Sequence, residues 1–346
     1  MVSAIIPSIR KMKPLTAIVN LTAADISLTV VALLDSGSAG NFISGALCRQ
    51  LQLKTSPSPT IYQINSITGK PLSHSHEWEI PEWAGLQARY EHCSFVPESD
   101  PQSLWVFAGA EKSGNRNCVQ VLRMSDGLWK TVQVKGSPPT VRTYHTNSAC
   151  VGDRLFVFSG GDAGAAPVTD PQVHVFDSVT ATWTQPESTG KPPAPRHGHV
   201  IAAVGTDVYI HGGMSGETFH NDMFLLNTET MKWEKVKAKG EIPPGVAAHS
   251  SVSFGKNIFI FGGLTSEGAS NSMYKFQCDK QRWTRLKFEG DLPPGRLDHS
   301  MCLVPWRVKT AGRETCGADV QHLCFIFGGM DTQGVIFNDC LVTLLT

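Results

Sequence analysis

Short apolar runs recur along most of this chain, and each ends in glycines or turn residues. Five are closely similar: WVFAGA at 105–110, FVFSGG at 156–161, YIHGG at 209–213, and FIFGG at 259–263 and 325–329. A second apolar run follows each of them, such as VHVFD at 173–177 or MFLLN at 223–227. Valine, isoleucine and phenylalanine suit a pleated, half-buried surface, so each run predicts a short β-strand.

Fixed polar and aromatic residues separate these runs. The recurring tryptophans, at steps of 51, 54, 50 and 50 residues, are Trp78, Trp129, Trp183, Trp233 and Trp283. An Arg-x-x-His turn opens each unit. Its arginines are Arg89, Arg142, Arg196 and Arg296, and its histidines are His92, His145, His199, His249 and His299. In the fourth unit Val246 occupies the position of the arginine. The recurring glycines are Gly109, Gly160, Gly212, Gly213, Gly262, Gly263, Gly328 and Gly329, with Ala108 and Ser159 preceding the first two. A repeat of four short strands in about 50 residues predicts one propeller blade per unit.

Each recurring residue type has a structural role in such a blade. Tryptophan covers a large apolar area between adjacent sheets, and glycine permits tight turns. Because a residue that recurs usually serves the repeat, we expect the arginines to bridge neighbouring blades and not to bind phosphate. We expect each histidine to tie its own blade, since one histidine per 50 residues is not the spacing of metal ligands.

Arg-x-x-His, glycine and tryptophan, recurring in this order, resemble the kelch motif over residues 77–346. The resemblance implies an all-β propeller of five blades. The last unit, ending in CLVTLL, lacks a tryptophan strand, whereas EWEI at 77–80 precedes the first Arg-x-x-His. We therefore expect Trp78–Ile80 to pair with Leu341–Leu345 and so to close the ring without a free sheet edge.

A closer resemblance is carried by RYEHCSFVPE, SGNRNCVQVL, PRHGHV and LPPGRLDHSMCLVPW. These stretches resemble the kelch-motif effectors of the ninth Rab, a late-endosomal GTPase. That family has six kelch repeats, of which the first is reduced here to its terminal tryptophan strand. The resemblance implies a non-enzymatic protein without cofactor that binds the GTP form of the Rab in transport from endosomes to the trans-Golgi network. A scaffold for another cytosolic partner is the alternative.

Composition agrees with a cytoplasmic protein. Lysine plus arginine equals aspartate plus glutamate at 30 each, so overall charge does not favour nucleic acid. Nine cysteines form no CxxC pair, and the first residues lack a long apolar segment, so we expect neither a disulfide framework nor a signal peptide. Membrane contact is then expected only peripherally, through a partner on endosomes.

Residues 1–76 have a different character. VALLDSGSAGNFIS at 31–44 resembles the catalytic turn of a retrotransposon aspartic protease, with Asp35 as the carboxylate. Such chemistry needs two carboxylates, a flap and a supporting apolar-apolar-Gly turn, and no such turn follows before the repeats. We therefore expect a truncated, inactive retropepsin-like segment, with no catalytic residue and no metal site.

Other classes of propeller are not supported by the sequence. Five tyrosines provide no recognisable copper-radical cluster, and residues 1–76 lack the helical pattern of a ubiquitin-ligase adaptor. Function in propellers lies in variable loops. The predicted binding loops are 109–117, 160–172, 212–222, 262–272 and the insertion 307–322.

Overall fold

The computed structural model describes the chain as strands, turns and loops. The described residues are 16–23, 26–35, 39–40, 85–125, 127–143, 149–162, 166–310 and 319–345. Trp78 and His145, named above as repeat residues, lie outside them. Among these residues no helix is long and apolar enough to cross a membrane.

Near the N-terminus, two strands form an antiparallel hairpin. They are β1, Thr16–Ala23, and β2, Ile26–Asp35, and the end of β2 pairs with β3, Ala39–Gly40. The Asp-Ser-Gly of the protease-like stretch therefore begins at the end of a strand, with Asp35 opposite Ala39.

The first two blades follow. Blade 1 contains β4 Tyr90–Phe95, β5 Ser103–Glu111, β6 Gly114–Asn115, β7 Val119–Arg123 and β8 Leu128–Thr131. The short strand β9, Lys135–Gly136, leads into blade 2. Blade 2 contains β10 Ala149–Val151, β11 Arg154–Phe158, β12 Val173–Asp177 and β13 Thr182–Thr184.

Blades 3 and 4 repeat this arrangement. Blade 3 contains β14 His197–Val204, β15 Asp207–Ser215, β16 Thr218–Phe219, β17 Met223–Asn227 and β18 Lys232–Lys235. The connecting strand is β19, Lys239–Gly240. Blade 4 contains β20 Ser250–Phe254, β21 Asn257–Phe261, β22 Leu264–Thr265, β23 Gly268–Ala269, β24 Met273–Gln277 and β25 Arg282–Arg285.

Blade 5 has three strands: β26 Ser300–Thr310, β27 Asp319–Phe327 and β28 Cys340–Leu345. The far end of β26 pairs with β2, Ile26 lying opposite Thr310. The five-blade, all-β propeller predicted from the repeats is thus confirmed. The predicted pairing of Trp78–Ile80 with Leu341–Leu345 falls on residues outside the described ranges and stays a prediction.

The core lies between blades. One apolar cluster spans blades 1 to 3, a second joins blades 3 and 4, and a third joins blades 4 and 5. The recurring tryptophans of blades 2 to 4 pack on the second strand of the preceding blade: Trp183 on Phe107, Trp233 on Phe158 and Trp283 on His211, with ring centroids 4.9, 5.3 and 4.9 Å apart. Tryptophan therefore joins blades as the sequence predicted.

The segment that leaves each tryptophan strand, here called the exit segment, runs along the outer edge of the next blade. Strand β9 pairs in parallel with β13, and β19 with β25. Each exit segment has a glycine seven residues after its tryptophan, and a Cβ added at Gly136, Gly190 or Gly240 would overlap the main-chain oxygen of the next tryptophan. This glycine was not among the predicted repeat residues.

Gly240→Ala should destabilise the protein more than Gly290→Ala. Both glycines have a left-handed φ, +86° and +80°, which costs a non-glycine residue roughly 1–2 kcal/mol. Only Gly240 faces the oxygen of a following tryptophan, whereas Gly290 has open space around its Cα. Urea titration of both variants measures the difference in unfolding free energy. Equal losses of stability would mean that the left-handed φ alone requires glycine at position 240.

The junction between blades 5 and 1 differs from the other four. At those four, a main-chain N–H of the glycine turn donates to the next unit's Arg or Val carbonyl: Gly109 to Arg142, Gly160 to Arg196, Gly213 to Val246 and Gly263 to Arg296. Among the described residues the equivalent bond from Gly329 to Arg89 is absent. A Cβ on Gly262 would touch His299 of the next blade, whereas one on Gly328 would meet only Phe337 of its own.

Candidate binding face

The strand order places four of the five predicted binding loops on one face. Consecutive strands of each blade are antiparallel, so the loop between the second and third strands emerges opposite the loop between the first and second. We call the side carrying the second-to-third loops the loop face; its loops are residues 112–118, 159–172, 216–222, 262–272 and 328–339. Of the insertion 307–322, the described parts are residues 307–310 at the end of β26 and 319–322 at the start of β27, and both lie at the opposite end of blade 5.

The fifth loop of this face, 328–339, was not among the predicted binding loops. It carries Ile336, which is 78% exposed, beside the exposed Val335. The signal in the sequence was an apolar pair in a loop that otherwise has turn residues, Met-Asp-Thr-Gln-Gly. In blade 1, Tyr90 is 59% exposed and lines a groove of about 510 Å³ with Val141, Asn115 and Asp162. Exposed apolar side chains in a shallow groove suit a protein partner.

The loops of blades 1, 3 and 4 are held by hydrogen bonds to the next unit. The side-chain amide of Asn115 donates to the carbonyl of Asp162 in the next blade's loop. The main-chain N–H of Arg296 donates to the carbonyl of Ser270, and that of Val246 to the carbonyl of His220. Loops fixed in this way lose little conformational entropy when a partner binds.

Buried arginines support the loop face from beneath. Arg142, Arg196 and Arg296 are almost fully buried, and each donates through Nη1 to a carbonyl at its own blade's glycine turn: Ser159, Gly212 and Gly328, each at 2.9 Å. Arg89 does the same with Ala108 at 3.2 Å. The side chains therefore tie their own blades, while the main-chain carbonyls make the bridge between blades. The predicted bridging role belongs to the backbone.

Carboxylates at the start of the third strand complete these arginine sites. Nη1 of Arg196 lies 2.6 Å from Asp222, and Arg296 reaches both oxygens of Asp339 at 2.6 and 3.0 Å. Burial alone would raise the pKa of Asp222, but the hydrogen bond and charge of Arg196 outweigh it and hold this pKa below its usual value. These guanidinium groups are occupied by the blade itself and are not free to bind a phosphate.

The glycine turns adopt the geometry that their sequence predicted. The eight predicted glycines all have positive φ, from +66° at Gly328 to +120° at Gly160. Ala108 and Ser159, which replace glycine, are held at +61° and +54°. Such a conformation is costly for a non-glycine residue and persists where surrounding bonds enforce it. The arginine bonds to the carbonyls of these two residues supply that support.

Two of the histidines, His249 and His299, reach across to the preceding blade, contrary to the expectation that each histidine ties its own blade. Nε2 of His249 lies 3.1 Å from Nδ1 of His211 in blade 3, and the ring of His299 packs on Phe261 of blade 4 at 5.3 Å. Burial lowers the pKa of His211 and His299 to about 3, and it lowers that of His249 as well, helped by the charge of His211. His92 and His199 lie on the inner strands of their own blades.

Within the described part of the chain, no group of three histidine, cysteine, aspartate or glutamate side chains is placed to hold a metal. The arrangement offers a contoured, rigid surface for binding. It carries the exposed apolar side chains Tyr90, Val335 and Ile336 together with exposed charged residues such as Glu217 and Glu267.

Comparison with known proteins agrees with this description. Residues 72–263 match the model of the KLHDC2/KLHL20/DRC7 kelch-repeats domain, and residues 245–287 match a kelch motif. The Rab9 effector protein with kelch motifs of Danio rerio is 80% identical over 277 residues, which cover 79% of this chain and 78% of that protein. The chain belongs to the Rab9 effector family with kelch motifs.

Other members of the Rab9 effector family are also similar. The protein of Xenopus laevis is 59% identical over 294 residues and that of Homo sapiens 52% over 299; both alignments cover 78% of this chain and 80% of the relative. The name of these relatives describes an effector and no enzymatic activity, in agreement with the expectation for this chain. The two matched models leave residues 1–71 uncovered, and a retropepsin-like character is not supported there.

Proposed function

We propose that this propeller is a non-enzymatic scaffold that binds a Rab9-type GTPase in its GTP form through the loop face. Membership of the Rab9 effector family, at up to 80% identity over most of the chain, carries the proposal. The loop face adds a surface of suitable type, since one partner of a standard interface contributes about 800 Å². Tyr90 and Ile336 are the exposed apolar side chains that such an interface would bury.

Nucleotide dependence would arise in the GTPase. Its switch loops are ordered by the γ-phosphate and Mg²⁺, whereas the propeller loops of blades 1 to 4 are already fixed by hydrogen bonds to the next unit. The propeller can then recognise one form without changing shape. A GTPase on endosome membranes would recruit this cytoplasmic chain peripherally, in transport towards the trans-Golgi network.

Titration of the full chain against Rab9 loaded with a GTP analogue or with GDP tests the proposal. We expect the GTP form to bind at least about tenfold more tightly, because only that form presents ordered switch loops. Ile336→Asp should weaken binding by roughly 1–3 kcal/mol, as for a buried apolar contact in an interface. Calorimetry or interferometry measures both effects.

Val179→Asp is the matched control. Val179 is 66% exposed but lies in the turn between the third and fourth strands of blade 2, at the face opposite the loop face. It should leave affinity unchanged. Equal affinity for the two nucleotide forms would exclude effector behaviour, and no binding by a folded protein would favour a scaffold for another cytosolic partner. An equal loss from both substitutions would place the interface elsewhere.

A further inference from the structure

The outer edge of blades 3 and 4 is strongly basic, although the chain as a whole has no net charge. From Lys232 to Leu292 there are ten lysines and arginines and six aspartates and glutamates, of which Glu289 and Asp291 are exposed on the exit segment of blade 4. The exposed members on the outermost strands and exit segments, here called the basic rim, are Lys237, Lys239, Arg282, Arg285 and Lys287. The basic rim runs along the outer side of the blades, and it meets the edge of the loop face at Arg285, whose guanidinium donates to the hydroxyl of Ser272 in loop 262–272.

Like charges oppose each other directly in the basic rim. Lys239 of β19 lies opposite Arg282 of β25 in the parallel pair that joins the exit segment to blade 4. Adjacent like charges on neighbouring strands are destabilising. The same pairing at blade 2 places Lys135 opposite Thr182, so the fold does not require two cations at this position.

Most cations of the basic rim have no acidic partner in the described part of the chain. Lys232 and Lys235 at its border pair with Glu234 and Asp222. Among the described residues, Lys237, Lys239, Arg282 and Lys287 form no ion pair. An uncompensated row of cations is a surface that attracts an anionic partner.

Apolar side chains project beside these cations. Ile242, Phe288 and Leu292 on the exit segments are 46%, 41% and 47% exposed. Phe288 and Leu292 line a groove of about 370 Å³ together with Arg285 and Lys287. Glu241 also lines this groove, where one of its carboxylate oxygens accepts the main-chain N–H of Arg285. Cations with apolar groups between them suit a lipid surface, because the cations meet headgroups while the apolar groups enter the interface.

We propose that the basic rim docks directly onto an anionic phospholipid membrane. The two opposed cations gain counter-charges that the protein does not provide, and each lysine or arginine near an anionic leaflet contributes attraction. Edge-on docking leaves the loop face accessible to a membrane-anchored partner. The proposal does not depend on the GTPase, since the membrane itself is the ligand.

Co-sedimentation of the full chain with vesicles tests this docking. Binding to phosphatidylserine-containing vesicles should exceed binding to pure phosphatidylcholine vesicles and should fall with added salt. The triple variant Lys237→Glu, Lys239→Glu, Arg282→Glu should reduce partitioning by roughly two orders of magnitude. Circular dichroism checks that the triple glutamate variant is folded. If it is not, the corresponding triple glutamine variant is used instead, and it should lose less of the vesicle binding.

The matched control reverses three exposed cations on blades 1 and 2: Lys112→Glu, Arg123→Glu and Arg154→Glu. This control variant changes the net charge by the same amount as the rim variant, and it should retain most of the vesicle binding. Equal losses in the two triple variants would show a net-charge effect and overturn the assignment to the rim. Binding to single-stranded RNA or polyaspartate without binding to phosphatidylserine vesicles would overturn the membrane proposal. Because the vesicle assay contains no GTPase, its result does not depend on the proposed effector function.

Discussion

Replacing Trp183 with alanine should lower the free energy of unfolding by about 3–5 kcal/mol. Its side chain is 2% exposed and packs between Phe107 of blade 1 and Phe176 of its own blade, at 4.9 and 5.0 Å. Truncation leaves a cavity at a junction that joins two sheets, and neighbouring strands fixed by ladder hydrogen bonds cannot collapse to fill it. Chemical denaturation of the purified variant measures the loss.

Trp129→Ala and Thr218→Ala are the controls for this prediction. Trp129 occupies the same position in blade 1 but is only half-buried, so its removal should cost less than that of Trp183. Thr218 is an exposed loop residue, whose change should stay within about 0.5 kcal/mol. Comparable losses for Trp183 and Thr218 would contradict the division into framework and loop.

Acidification should also destabilise the fold strongly. His211 and His299 have folded-state pKa values of about 3 because burial disfavours their charged forms, whereas an unfolded histidine titrates near 6.5. Below pH 6.5 the unfolded chain therefore binds protons that the folded chain does not. Their stabilisation is complete above pH 6.5 and is lost as pH falls towards 3, by about 2 kcal/mol per histidine between pH 7 and pH 5.

His211→Phe tests this assignment. The equivalent position is phenylalanine in the other blades, at Phe107, Phe158, Phe261 and Phe327, so the ring should be accommodated. Urea titrations from pH 7 to pH 5 should show a shallower loss of stability in the variant than in the parent. An unchanged slope would mean that His211 does not titrate on unfolding in this range.

Recurrence in the sequence was sufficient to predict the blades and their framework, because each strand and each tryptophan has the same environment in successive units. It did not reveal which neighbour a repeated residue contacts. Arginine was expected to bridge blades and histidine to stay within one, yet the guanidinium of Arg196 binds within its blade and the ring of His249 reaches the preceding one. Spacing cannot distinguish these cases, since both partners recur with the same period.

The candidate surfaces were predictable to different degrees. Four binding loops follow from the glycine turns, but assigning the 307–322 insertion to the opposite face required strand direction. The basic rim went unnoticed because its cations come from two units about 50 residues apart. Only the parallel pairing of β19 with β25 brings Lys239 opposite Arg282.

The exit-segment glycine also defines which part of this chain can be exchanged as a module. Sequence periodicity suggests cutting between the proline turn and Arg-x-x-His, but such a cut leaves Gly240 with the Trp233 strand and separates it from Trp283, whose main-chain oxygen it packs against. A graft that carries one blade into another propeller should instead begin at the exit glycine and end at the next tryptophan strand. Each transplanted unit then brings the segment that covers its own outer edge.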